Sequence, residues 1–166
     1  MKSNRPFIIS VAVAGAVLLG WQLTESESTA RAMTAYGSEN KSMLTVPLDD
    51  GMEAVVTLDH VTGDLTGYAL NRMTGQFFIR YRRNLNEDFP RHSGKFLVAA
   101  ALADFRGFQS NTRLANGVIY VSEEGSGKVC AFGMPWAVRF GNSGAPSQEL
   151  QFIKLDEAAT RFLQLR

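Results

Sequence analysis

The feature that most constrains the fold of this chain is a β-hairpin pattern that occurs twice, at residues 53–70 and 117–134. Each copy has an apolar run, an acidic residue, a Thr-Gly or Ser-Gly pair and then a second apolar run. The acidic residues are Asp59 and Glu123, and the glycines are Gly63 and Gly127. Glycine adopts a positive φ at little cost, so each pair predicts a tight corner between antiparallel strands. The chain is therefore expected to form a mainly β domain.

Further strand signals lie between the two hairpins. Apolar or alternating runs, separated by corners that contain Gly or Asn, predict strands at residues 45–48, 53–59, 64–71, 76–84, 95–104, 117–123 and 128–134. The expected fold is an antiparallel meander of about six or seven strands, either propeller-blade-like or sandwich-like. The run at 95–105 has the alanine content of a helix, but Gly94 and Gly107 bracket it closely and favour a strand.

Alternation and capping signals predict two finer features. Within 76–84, Phe77, Ile79 and Tyr81 are expected to face the core, while the residues between them face a wetter side. After a last strand at 150–155, Asp156 is expected to cap a short helix that reaches Leu165.

An apolar run without charges occupies residues 7–23 and follows Lys2 and Arg5. Its length is at the short end of what crosses a bilayer as a helix. Because positive flanks stay in the cytoplasm, the rest of the chain is expected to be exported. The predicted organisation is a signal-anchor helix at 1–23, a flexible tether at 24–42 and a β domain at 43–166. This arrangement places the domain in the cell envelope, anchored in the inner membrane and facing the periplasm.

Two alternatives remain for this N-terminal run. Ala30-Arg31-Ala32 has the small-x-small pattern of a signal-peptidase site, and cleavage after Ala32 would export a protein that begins at Met33. The run could also be a buried helix of a cytosolic domain.

Four pieces of the sequence together resemble a family of small exported or signal-anchored proteins from planctomycete bacteria. They are a Leu-Asp-x-x-Thr-Gly-Asp-Leu hairpin at 58–65, an Asn-x-x-Thr-Gly corner at 71–75, an Arg-Asn…Asp-Phe stretch at 83–89 and a Tyr-Val…Pro-Trp hairpin at 120–136. The hairpin pieces also resemble blades of quinoprotein-type propellers. The resemblance covers about residues 45–136; it implies export and a β fold, and it brings no activity with it.

No constellation typical of an enzyme, a metal site or a cofactor site can be read from the sequence. His60 and His92 are far apart, and neither has a Cys or a carboxylate at metal-ligand spacing. The acidic residues near the corners lack calcium-loop spacing and are better explained by turn chemistry. The single cysteine, Cys130, excludes an internal disulfide and is expected to be buried. Convergence of Asp59, His60 and Glu123 in one pocket would revive an enzymatic interpretation.

A basic run supplies the candidate interaction surface. Arg80, Arg82 and Arg83 surround Tyr81, and Trp136 follows the second hairpin. With 17 basic and 16 acidic residues, the chain has no overall field that attracts nucleic acid. The alternative explanation of this basic run is a solvent-exposed strand edge without a binding role, on which positive charge prevents aggregation.

These observations predict a non-enzymatic envelope protein that acts by binding another protein or by self-assembly. Its partners are then the membrane and either a protein or further copies of the chain, with no cofactor. The alternative is a small-ligand or carbohydrate-binding domain that uses Trp136, Tyr81 and the loop at 107–116.

Overall fold

The computed structural model of the protein describes residues 35–105, 107, 111–137 and 148–159. The predicted anchor and the first part of the predicted tether lie outside the described residues. Within the described residues, the helical structure is a single 3₁₀ turn at Leu85–Glu87, and no helix there has the length and apolarity needed to cross a membrane.

The described part of the chain forms two sheets, and the prediction of a mainly β fold is confirmed. Along the chain the strands are β1 (Ala35–Gly37), β2 (Lys41–Pro47), β3 (Glu53–Asp59), β4 (Asp64–Leu70), β5 (Phe77–Asn84), β6 (Phe96–Leu102), β7 (Leu114–Glu123), β8 (Lys128–Pro135), β9 (Gln148–Gln151) and β10 (Ile153–Ala159). The first sheet has the order β1-β2-β3-β4-β5-β9, and the second has the order β10-β8-β7-β6. Neighbouring strands are antiparallel except β5 and β9, which are parallel.

The two sheets share one buried cluster of apolar side chains. Its members on the central strands are Val46, Val56, Leu58, Leu65, Ile79, Tyr81, Ile119, Val121, Cys130, Phe132 and Met134. The expected burial of Cys130 is confirmed. β9 and β10 are separated only by Phe152, a fully buried residue at which the chain passes from the first sheet to the second. Gly67 makes room for this ring, because a Cβ there would lie 2.9 Å from Phe152 Cζ.

Both hairpins and the strand at the alanine-rich run are present. The described residues form ten strands, more than the six or seven predicted. β1 falls within the predicted tether, where its three exposed residues leave no apolar period to detect. Asp156 does not cap a helix, because residues 153–159 pair with β8 as an edge strand of the second sheet. Pairing along β8 outweighs the local helix signal of these residues.

A β-bulge in β5 makes the orientation of Phe77 differ from the prediction. Leu70 pairs with Phe77 and Ala69 pairs with Ile79, so Phe78 is the extra residue on this strand. A bulge shifts the alternation of side chains by one position. Ile79 and Tyr81 are buried as predicted, but Phe77 is 56% exposed and Phe78 is buried instead.

Three corners of the fold share one hydrogen-bond arrangement; we call them the Asp59, Asn71 and Glu123 corners after their first residues. In each, the N–H of the glycine four residues later donates to the carbonyl of the first residue. The side chain of the first residue accepts from the N–H groups two and three residues later. The Thr or Ser before the glycine accepts from the N–H two residues after itself. The glycines have φ values of 73°, 68° and 65°, a region in which a side chain is strained.

Candidate interaction site

The four residues predicted as an interaction surface lie in different environments. Arg80 and Arg82 are exposed on the outer face of the first sheet. Arg83 is half-buried, and Trp136 is only 2% exposed in the core. The predicted surface is therefore divided, and only its first two residues face solvent together.

Arg83 is part of an internal ion-pair network. Its Nε lies 2.6 Å from Asp88 Oδ2, and its Nη2 donates to Asp88 Oδ1 over 3.0 Å. Lys154 Nζ also approaches Asp88, at 3.4 Å. The hydrogen bonds that Arg83 donates to Asp88 raise the pKa of the Arg83 guanidinium. Because Asp88 is buried and Arg83 Nη1 also donates to the carbonyl of Phe152, this arginine is engaged within the fold and leaves few donors for a partner.

The aromatic residues proposed for a ligand site are also buried. Trp136 packs edge-on against Phe78, with ring centroids 6.3 Å apart. The hydroxyl of Tyr81 donates to the carbonyl of Pro135 over 3.0 Å, and burial raises the pKa of this tyrosine. Neither ring offers a surface on which a ligand could stack, so the ligand site expected at Trp136 and Tyr81 is wrong in its location.

Exposed and partly exposed aromatic and arginine side chains instead lie together on the outer face of β4 and β5. We call this surface the aromatic–arginine face; its members are Tyr68, Leu70, Phe77, Arg80 and Arg82. Tyr68 pairs with Arg80 across the two strands, and Leu70 pairs with Phe77. The rings of Tyr68 and Phe77 are 5.5 Å apart between centroids, and the guanidinium of Arg80 lies 5.9 Å from the Tyr68 centroid.

An open pocket of about 320 Å³ lies on this face. Tyr68, Phe77 and Arg80 line it, together with Gln148 and Glu149 of β9. Two aromatic rings, the guanidinium of Arg80 and the polar side chains of β9 therefore line one depression. Such a combination can bind a group that is partly apolar and partly charged.

Local structure explains how the rings reach this face. The Asn71 corner joins β4 to β5 directly beside Leu70 and Phe77, and the bulge at Phe78 turns Phe77 outward. Sequence reasoning missed Tyr68 and Phe77 because a strict alternation placed Phe77 in the core. The consecutive pair Phe77-Phe78 was the signal available, since two large rings in succession fit a strand only if one faces outward or a bulge intervenes.

The outer face of β6, β7 and β8 in the second sheet has a different composition. We call it the uncharged face; its members alternate with core residues and are Leu97, Ala99, Ala101, Val118, Tyr120, Ser122, Val129, Ala131 and Gly133. Asp156 of the edge strand β10 pairs with Ala131 and borders this face. Leu97 is 61% exposed and Tyr120 is 42% exposed. Near Gly133 the face is covered by Leu114 and Leu155.

The three residues whose convergence would indicate an enzyme do not share a pocket. The carboxylate of Asp59 accepts from its own corner. The carboxylate of Glu123 accepts from its own corner and from Ser93. His60 lies in a separate groove between the first sheet and β6, where Nε2 is 2.8 Å from Ser42 Oγ.

The Ser42–His60 pair has the spacing of a nucleophile and a base, but its surroundings fit a structural role. His60 Nδ1 lies 3.3 Å from the Glu39 carbonyl, which can only accept, and in the tautomer that donates from Nδ1 the other nitrogen, Nε2, accepts from Ser42. The backbone of Ser42 pairs with both Gly37 and Leu58 within the sheet, so it cannot bind a developing oxyanion. The histidine ties the β1–β2 turn to the Asp59 corner.

Comparison with known proteins gives no relative from which a function could be transferred. No protein-family model, curated protein sequence or solved structure matches this chain.

Proposed function

We propose that this protein is a non-enzymatic protein of the cell envelope whose β domain binds another protein through the aromatic–arginine face. The apolar run at 7–23 and the positive charges before it support an inner-membrane anchor with the domain in the periplasm. Cleavage after Ala32 would release the same domain in soluble form. The resemblance to planctomycete exported proteins supports this location, and membership of that family is part of the proposal.

The observation that carries the proposal is the cluster formed by the exposed ring of Phe77, the partly exposed ring of Tyr68 and the exposed Arg80. Soluble domains seldom leave large aromatic side chains grouped at the surface without a partner. Tyrosine, phenylalanine and arginine are enriched in protein interfaces, and tyrosine and arginine are common among the residues that dominate binding energy. The outer face of β4 and β5 has this composition and is held rigid by two sheet ladders.

Photo-crosslinking in the native host tests this function. The crosslinking amino acid p-benzoylphenylalanine replaces Phe77 in one variant and Val61 in a control; Val61 is 72% exposed at the Asp59 corner. We expect the variant at residue 77 to form an adduct with one protein species and the control to form none. Equal adducts from both positions, or adducts with lipid alone, would contradict the proposal.

Self-assembly is the second candidate, and the uncharged face favours it. Its small residues would allow a second sheet to approach closely, with Leu97 and Tyr120 as protruding side chains. The same crosslinker at Tyr120 would then produce a homodimeric adduct of twice 18.2 kDa. An adduct of the chain with itself from residue 120, combined with none from residue 77, would favour assembly over partner binding.

Binding of a carbohydrate or another small ligand is the alternative function, now located at Tyr68 and Phe77. Their adjacent rings and the polar side chains of Gln148 and Glu149 line the same pocket. Calorimetric titration with envelope oligosaccharides tests it: saturable binding that the Phe77→Ala variant loses would favour this alternative.

A further inference from the structure

We infer that the pocket beside Arg80 binds a carboxylate joined to an apolar group, which a partner protein presents as an acidic residue next to a large apolar side chain. This inference rests on the proposed function and specifies the chemistry of the partner.

The three clustered arginines differ in how their charges are compensated. Arg83 is bound to Asp88, and Arg82 lies 3.4 Å from Glu149. Among the described residues, no carboxylate lies within ion-pair distance of Arg80, although Glu149 of the adjacent strand β9 is its cross-strand partner. Since Glu149 is engaged by Arg82, the guanidinium of Arg80 is the arginine group on this face that a ligand can neutralise.

The position of Arg80 favours a ligand with a planar anionic group. Its guanidinium lies over the ring of Tyr68, a contact that restricts the side chain while its N–H groups remain at the pocket. A carboxylate accepts two parallel hydrogen bonds from such a fork, which a lysine cannot provide. Charge complementarity therefore selects an acidic partner group at this point.

The aromatic rings that line the same pocket determine what the carboxylate is attached to. Phe77 is 56% exposed, and its ring lies beside that of Tyr68. Covering these rings removes apolar surface from water, which stabilises the complex in proportion to the area covered. The pocket volume of about 320 Å³ is at the lower end of ligand sites and fits one such side chain.

Ligand titration followed by NMR tests the chemistry on the full chain in detergent micelles, with arginine labelled by nitrogen-15. The probes are N-acetylphenylalanine and its neutral amide, which differ only in the carboxylate. We expect the acid to shift the Arg80 Nε–H signal with a Kd of about 1 mM, and the amide to bind about tenfold more weakly. Equal affinities, or no binding of the acid, would overturn the inference.

Two variants separate the role of the fork from that of charge alone. Arg80→Lys retains the positive charge but loses the bidentate geometry, and we expect the affinity for the acid to fall about tenfold. Arg91→Lys changes another exposed arginine, outside the pocket, and should leave the affinity unchanged. Equal binding by the Arg80→Lys variant and the wild type would show that the fork is not used.

The crosslinking and titration experiments test the proposed function and the carboxylate preference separately. An adduct from residue 77 without preference for the acid would keep the proposed function and reject the carboxylate. Preference for the acid without any protein adduct would reject a partner protein and identify the ligand as a free carboxylate.

Discussion

The Asp59 and Glu123 corners have the same backbone arrangement but differ in what their carboxylates hold. Asp59 is half-exposed, and among the described residues outside its own corner its carboxylate approaches only Lys41, at 3.9 Å. Glu123 is fully buried, and its Oε1 also accepts from the N–H and hydroxyl of Ser93 over 2.9 and 2.6 Å. The extra methylene of glutamate extends the carboxylate from its corner to the neighbouring loop.

The difference shows that one local sequence signature can serve either as a turn or as a tertiary connection. In the Asp59 corner, the hydrogen bond from the Thr62 N–H lowers the pKa of the carboxyl. In the Glu123 corner, burial raises the pKa, but the hydrogen bonds from Ser93 and Ser126 outweigh it and leave the pKa well below that of a free glutamate. The second carboxylate is therefore expected to matter far more to stability.

Removing Glu123 should have the largest effect. In Glu123→Ala, the N–H groups of Ser93, Gly125 and Ser126 lose their acceptor, so we expect the free energy of unfolding to fall by about 3 kcal/mol. Urea denaturation followed by circular dichroism measures this change. The adjacent Glu124→Ala variant removes an exposed carboxylate and should change stability by less than about 0.5 kcal/mol. Similar losses in both variants would show that the corner does not depend on its buried acid.

Acid pH should distinguish the two corners in the same way. A carboxyl with a depressed folded pKa contributes stability that is present above its unfolded pKa, about 4.3, and is lost as the pH falls towards its folded pKa. The melting temperature of wild type should therefore drop more steeply below about pH 4.5 than that of Glu123→Gln. Other acids titrate in both proteins, so the difference between the two curves is the measured quantity. Parallel curves of melting temperature against pH would mean that the charge of Glu123 does not stabilise the fold.

The corner glycines provide a third comparison. In Gly63→Ala, φ is positive and the new Cβ would lie 2.7 Å from Asn86 Oδ1, so we expect a loss of about 2–3 kcal/mol. In Gly75→Ala of the Asn71 corner, φ is also positive but the Cβ meets nothing within 4 Å, so about 1 kcal/mol should be lost. Thermal unfolding of both variants separates backbone strain from steric overlap. Equal losses would indicate that the loop holding Asn86 moves away freely.

The smallest effect on stability is expected from a substitution of Asp59, the half-exposed acid. Asp59→Asn should leave the melting temperature at pH 7 nearly unchanged. In its own corner, the amide oxygen of Asn71 accepts from the N–H groups two and three residues later, and an asparagine at residue 59 can do the same. Calorimetry at pH 7 measures it. A large drop would show that the charge of Asp59, rather than its acceptor geometry, maintains this corner.

Local chemistry in the sequence was sufficient to predict the corners and the strands they join. Glycine after Thr or Ser, with an Asp, Asn or Glu three residues before that hydroxyl, places each corner without knowledge of the rest of the fold. The edge strand that contains Asp156 was not predictable in this way, because its pairing with β8 is long-range. For the residues of the candidate interaction surface, the sequence predicted exposure in part: Arg80 and Arg82 are on the solvent-exposed face as expected, whereas the exposure of Phe77 depends on the bulge and the burial of Trp136 on the packing of two sheets.

The passage of the chain at Phe152 has a consequence for how the protein is made. β5 and β8 each take their last neighbour from the stretch 148–159, which is translated after every other described strand. Until that stretch has been synthesised, β5 and β8 are themselves edge strands with unpaired backbone groups, and the pairings that cover them span many residues. The nascent domain is then most vulnerable to aggregation before its C-terminal segment has paired, and this is the interval in which a chaperone would have the greatest effect.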